Sequence, residues 1–130
     1  MMIDSLPHAT IIAAEPQLYV TDIAAAVDVY VRQLGFALAF THGEPAFYAQ
    51  VVRDGARINL RASDGPIGFR ADEPHALSAT LTVDDAAALF REFEEAGVTF
   101  YQSLRTEPWG ARTFIVADPD GNLLCFAGKA

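Results

Sequence analysis

The chain has one cysteine, Cys125, so no internal disulfide can form and a stapled secreted scaffold is excluded. Basic residues are scarce: nine Lys and Arg stand against seventeen Asp and Glu, a net charge of -8. That balance excludes nucleic acid or an anionic membrane surface as the main partner, because both need a cationic face. No apolar run approaches the ~20 residues of a membrane span. The first ten residues hold no basic stretch followed by an apolar one, so no signal peptide is expected and the cytoplasm is the expected compartment. The nine glycines fall at turns and caps, and none builds a phosphate-cradling loop. What remains is 130 residues, 52% apolar and 11% aromatic, enough for a single domain over 1–130 with a real core. The acidic surface suits a neutral or cationic small molecule, and equally serves solubility.

Turn residues divide the chain into segments whose apolar period alternates between two and about 3.6. Residues 11–20 read as a strand, with Ala14, Pro16, Leu18 and Val20 on one face and Glu15, Gln17 and Tyr19 on the other. Thr21 and Asp22 offer cap oxygens. Ile23, Val27, Tyr30, Val31 and Leu34 then recur at helical spacing, and Gly35 stops that helix. Extended runs follow at 36–42, 46–53 and 56–62, the last two joined by the hairpin turn Asp54-Gly55. Residues 63–76, with Gly65, Pro66, Gly68 and Pro74, read as a linker.

The pattern then restarts. A strand at 77–83 leads into a helix opened by Asp84-Asp85 and ended by Gly97. Strands at 99–103, 112–117 and 123–127 follow, with a loop at 106–110 and the turn Asp118-Pro119-Asp120-Gly121. The halves repeat at their junctions: Tyr19-Val20-Thr21-Asp22 matches Leu81-Thr82-Val83-Asp84, and Leu34-Gly35-Phe36 matches Ala96-Gly97-Val98. Each half, module 1 at about 11–62 and module 2 at about 77–128, reads strand, helix, then three extended segments. A helix covers one face of each sheet, so the opposite faces must meet or curl around something.

These features resemble the vicinal oxygen chelate superfamily, which contains glyoxalases, extradiol dioxygenases and the bleomycin and fosfomycin resistance proteins. The resemblance spans about 14–127 and rests on Val20-Thr21-Asp22-Ile23 with Tyr30 and Leu34-Gly35-Phe36, on Glu107-Pro108-Trp109-Gly110, and on Asp118-Pro119-Asp120-Gly121-Asn122. The Pro-Trp-Gly loop and Val51-Val52-Arg53-Asp54 are most similar to the bleomycin-resistance branch. The resemblance implies an α+β fold: two βαβββ modules forming a curved, barrel-like mixed sheet around a cavity, helices outside, often as a homodimer. In the enzymes of the family, His and Glu side chains from four strands hold a divalent metal. Those positions fall here on Glu15, Asn59, Ser78 and Cys125. Serine is a poor ligand, neutral amide a weak one, and thiolate prefers softer metals. The chain therefore departs from the metal-binding pattern at three of four positions, and no metal or other cofactor is expected.

Arg57, Asn59 and Arg61 alternate with Ile58 and Leu60, which places the three polar residues on the inner face. The arginines could form an anion-binding fork or pair with Glu15. Gln17, Tyr19, Ser78, Thr80 and Thr82 are expected across from them, as a polar lining of the cavity. Trp109, the only tryptophan, is a candidate stacking surface, or else a lid or dimer contact. The resemblance puts its counterpart at the drug-binding groove of the resistance proteins. Phe47 and Tyr48 could add a second aromatic wall or pack in the core, whereas the inner position at Asn59 is aromatic in those proteins. Cys125 reads as a small buried residue, and His8, His42 and His75 as solvated side chains.

The reading is a metal-independent binding protein for a small organic molecule, planar or cationic, with drug sequestration as its named form and no catalytic residues assigned. The alternative is a metal-dependent lyase, isomerase or dioxygenase of the glyoxalase type. A third is a duplicated scaffold that binds another protein.

Overall fold

Each half begins with the same piece of local chemistry. The Asp22 carboxylate accepts a hydrogen bond from the Ala25 amide at 3.0 Å and starts α1 (Ile23–Arg32). The Asp85 carboxylate does the same for the Ala88 amide at 2.9 Å and starts α2 (Ala86–Glu95). Such a cap satisfies an amide that has no partner within the helix. Gly35 and Gly97 then turn the chain with φ of +74° and +78°, a region that costs a residue with a Cβ.

The computed structural model describes residues 7–64 and 76–129. Around α1 lie β1 (Gln17–Val20), β2 (Ala37–His42), β3 (Tyr48–Arg53) and β4 (Ala56–Ala62); around α2 lie β5 (Ala79–Thr82), β6 (Phe100–Thr106), β7 (Ala111–Ala117) and β8 (Leu123–Lys129). The strand orders are β1-β4-β3-β2 and β5-β8-β7-β6, so the duplication read from the junctions is a duplication of topology. In each sheet the first strand runs parallel to the last and the other pairs are antiparallel. The fold is α+β, and its two mixed sheets are curved without closing into one barrel.

The strand expected at 11–20 begins only at Gln17. It pairs with β4 from Asn59 to Ala62; just upstream, the Pro16 carbonyl still accepts from the Asn59 amide at 3.0 Å, but proline has no N–H to extend the ladder. Ile11 and Ile12 are accordingly 92% exposed. β5 is also shorter than expected, at Ala79–Thr82. Conversely, β6 reaches Thr106 and leaves a loop of only a few residues. Of the expected linker at 63–76, residues 65–75 lie outside the described residues.

On the helix side the two modules share one core. Leu18, Val20, Tyr30, Val51, Ile58 and Leu60 come from the first, Phe93, Phe114, Val116, Leu124 and Phe126 from the second. Phe114 anchors the second half, stacked on Phe126 at 5.2 Å and meeting Phe90, Phe93 and Phe100 edge-on. Such geometry adds to simple burial because ring edges and faces carry opposite partial charge.

Polar contacts lock the modules together. The Asp118 carboxylate accepts from the Tyr30 hydroxyl at 3.1 Å, from the Asn122 side chain and amide at 2.9 Å each, and from the Asp120 amide at 2.9 Å. The Asn122 side chain also donates to the Tyr19 carbonyl at 2.9 Å, and Asp120 accepts from Thr21. The Asp118 turn therefore clamps the first module as well as folding on itself, a role that reading it as a local turn misses. Burial pushes the Asp118 carboxyl above its ordinary pKa against the pull of its donors, and pushes the Tyr30 phenol up as well, helped by the Asp118 charge. A second lock is bidentate: Arg53 donates to Glu92 at 2.7 and 2.9 Å, and also to the Leu34 carbonyl at 2.8 Å. Arg53 holds the Glu92 carboxyl below its ordinary value.

Tyr30→Phe keeps the ring and removes one donor to a buried carboxylate. Urea unfolding should show a loss of about 1–3 kcal/mol. Glu92→Gln should cost about 0.5–1 kcal/mol at neutral pH, given the partial exposure of the pair. Because the Glu92 pKa is lowered by folding, this contribution stands above the ordinary glutamate pKa and is lost as the pH falls through the lowered value. The stabilities of the two proteins should therefore converge in acid, once the pH has fallen through the lowered Glu92 pKa.

Candidate functional site

Strand alternation gives the first sheet a face turned away from α1, and registry fills it. Gln50, Asn59 and Gln17 lie side by side on β3, β4 and β1, and Tyr48, Arg61 and Tyr19 form the next row. His42 and Phe40 extend the two rows onto β2. Gln17 and Tyr19 thus stand beside Asn59 and Arg61 on one sheet, not across from them. The parallel pairing of β1 with β4 decides this, and alternation alone does not reveal it.

Two groups share this face. The first is an amide cluster. Gln50 Nε2 donates to Asn59 Oδ1 at 2.9 Å and to Glu15 Oε1 at 3.1 Å, Asn59 Nδ2 donates to Glu15 Oε1 at 3.2 Å, and Arg57 donates to Gln50 Oε1 at 3.3 Å. Gln50 and Asn59 are each only 8% exposed. The second group is aromatic and cationic. The Arg61 guanidinium lies 5.8 Å from the Phe47 ring centre and 6.0 Å from that of Tyr48. Tyr48 packs on Phe40 at 5.9 Å, and Phe47 meets His42 edge-on at 5.5 Å. Phe47 is 43% exposed and half of a surface stack rather than a core residue. Among the described residues neither Arg57 nor Arg61 forms an ion pair, so the expected partnership with Glu15 is replaced by amide contacts to that carboxylate. Sequence reasoning named neither Gln50 nor Phe40; the alternation of 46–53 carries the signal for Gln50 through its parity with Tyr48.

The second sheet has a counterpart face. Thr80 pairs with Cys125, and Cys125 with Ile115. The Ser78 hydroxyl accepts from the Leu123 amide at 3.1 Å and donates to Asn122 at 3.4 Å, so it serves the strand ends. Glu107 accepts from Arg105 at 3.0 Å and from Thr113 at 3.1 Å, and Gln102 donates to Thr113 at 3.1 Å. The turn that Glu107 thus anchors carries Trp109 at its tip, 75% exposed, followed by Gly110 with φ +98°.

Asn59 therefore belongs to the first sheet, with Glu15 just upstream of β1 beside it, and Cys125 to the second, with Ser78 just upstream of β5. The Asn59 amide and the Ser78 hydroxyl are committed to protein partners, Cys125 is buried, and among the described residues no imidazole joins them. Among the described residues no group of three or more His, Cys, Asp or Glu comes together as a metal site. His8 and His42 are exposed, and His75 lies outside the described residues. These donors do not fit the divalent ion that the resemblance associates with the family's enzymes.

A cleft of about 630 Å³ opens elsewhere, between the β3–β4 turn and the start of α2. Of the sequence candidates, Arg57, Thr80 and Thr82 line it, over an apolar floor that includes Phe36, Phe93 and Phe126. No helix among the described residues is long and apolar enough to cross a membrane.

Residues 5–126 match the profile of the Glyoxalase/Bleomycin resistance protein/Dioxygenase superfamily. The bleomycin resistance protein of Geobacillus stearothermophilus is 31% identical over 124 residues, covering 85% of this chain and 92% of that protein. An uncharacterised protein of Mycobacterium tuberculosis (strain H37Rv) is 32% identical over 121 residues, covering 85% of this chain and 70% of that protein. Among solved structures, the bleomycin-binding protein from bleomycin-producing Streptomyces verticillus, complexed with copper(II)-bleomycin, superposes with a TM-score of 0.75 at 25% identity. That match covers 95% of this chain and all of the other.

Burial, reinforced by the Glu107 charge, pushes the Cys125 thiol above its ordinary pKa. A thiol reagent at mildly alkaline pH should label the native protein at least about tenfold more slowly than the urea-unfolded chain.

Proposed function

The chain belongs to the Glyoxalase/Bleomycin resistance protein/Dioxygenase superfamily, and from that membership we propose that it is a metal-independent binding protein. It holds a small organic molecule against the polar faces of its sheets and sequesters it without transforming it. The observation that carries this reading is Trp109, three-quarters exposed at a hairpin tip that Glu107 braces. A large ring left in water on a stiffened turn is well placed to stack on a planar ligand. The similarity to bleomycin resistance proteins along 92% of their length supports drug sequestration as the role. The donor set at Glu15, Asn59, Ser78 and Cys125 argues for holding over metal chemistry. The ligand-binding set in this reading is Trp109 with Arg57, Asn59, Arg61, Gln17, Tyr19, Ser78, Thr80 and Phe47. We place the protein in the cytoplasm as a single-domain homodimer, in which a second copy covers sheet faces that one chain leaves open.

Trp109 fluorescence, titrated with metal-free and copper-loaded bleomycin and a panel of planar compounds, tests the reading. Saturable quenching should appear, and Trp109→Ala should weaken binding, followed by calorimetry, at least about tenfold. Elemental analysis of protein purified without chelator should find less than one divalent ion per chain. A stoichiometric ion lost on Glu15→Ala would overturn the proposal in favour of a glyoxalase-type enzyme. Sedimentation should show a dimer.

A further inference from the structure

The polar face of the first sheet carries a charge preference of its own. We propose that the row containing Arg61 is a subsite for a planar aromatic carboxylate. The proposal rests on the binding reading above and deepens it by naming the ligand's charge.

Arg61 meets Phe47 and Tyr48 at 5.8 and 6.0 Å from their ring centres, distances at which a guanidinium is held by aromatic faces. Such stacking occupies the plane of the group and leaves the N–H edge, the part that grips a carboxylate in two parallel hydrogen bonds, without a partner among the described residues. In the same chain Arg32, Arg53 and Arg105 each hold a carboxylate, although the net charge of -8 makes acidic partners plentiful. Arg57, Arg61, Arg91 and Arg112 form no ion pair among the described residues, and of these four Arg61 alone is stacked on aromatic rings there. Arg57 adds a second guanidinium to the face, with one hydrogen bond to the Gln50 carbonyl oxygen at 3.3 Å. The nearby carboxylate, Glu15, accepts from the Gln50 and Asn59 amides and forms no ion pair with either arginine among the described residues.

The neighbours supply the planar part. Tyr19 and Tyr48 flank Arg61 in register on β1 and β3, and Phe40 lies 5.9 Å from Tyr48. Phe40 and Tyr19 are 43% and 38% exposed, so ring surface is open to a ligand beside the cation. A flat ring laid on Tyr48 and Phe40 with its carboxylate on the edge of Arg61 satisfies both at once. A cationic ligand of the same shape would meet two guanidinium groups instead.

The test uses two probes of one shape and opposite charge, 2-naphthoate and 2-naphthylmethylammonium, titrated by calorimetry into the whole protein. The carboxylate should bind at least about tenfold more tightly than the ammonium, and more weakly as salt rises. Arg61→Ala should weaken the carboxylate at least about tenfold, Arg61→Lys should restore part of the loss, and Arg32→Ala on the far helix should change nothing. Circular dichroism confirms that the variants fold. Equal or tighter binding of the ammonium, or carboxylate binding indifferent to Arg61, overturns the proposal. If naphthoate fails to bind while bleomycin or another planar compound still quenches Trp109, the anion subsite falls and the sequestration reading stands. If no compound binds, both fall.

Discussion

The arrangement of the two sheets depends on one buried carboxylate. Asp118 gathers four donors, and one of them, the Tyr30 hydroxyl, comes from 88 residues away on the other module. Its neighbour Asn122 reaches the Tyr19 carbonyl, and Asp120 takes both donors of Thr21. The sheet edge that bears Tyr19 and the turn that leads into β8 are therefore one hydrogen-bonded unit. Desolvation makes the carboxylate costly to ionise, so each donor matters more than it would in water.

That unit fixes how the faces of the sheets are used. The apolar sides merge into a common core around Phe114, and the Arg53–Glu92 pair closes the seam at its far end. The polar sides carry two different chemistries. On the first sheet amides hydrogen-bond Glu15 and leave Arg61 stacked on aromatic rings; on the second, Glu107 accepts from Arg105 and Thr113 and stiffens the turn that presents Trp109.

The strands around the Asp54-Gly55 turn and the capped helices were legible in the sequence because their signals are local: alternation, cap oxygens, and glycine at positive φ. The edges of the sheets were less so. Residues 11–16 carry the same alternation as β1, but Pro16 has no N–H to donate to the ladder, and the pairing with β4 begins only at Gln17. Gln50 went unnamed because its role lies in contacts to Glu15 and Asn59, which are distant in sequence. Asp118 read as a local turn residue because its tie to Tyr30 has no local trace.

By itself the sequence determined that the protein is a duplicated βαβββ fold and which side chains share a strand face. These follow from backbone periodicity and residue chemistry, and neither needs a partner strand to be known. Only the tertiary structure decided that Gln17 and Tyr19 sit beside Asn59 and Arg61, that Glu15 is taken by amides, and that Arg61 is stacked yet unpaired among the described residues. Strand order and registry set those neighbours, and both come from burying two helix-covered faces in a single core, a balance no short stretch of chain encodes.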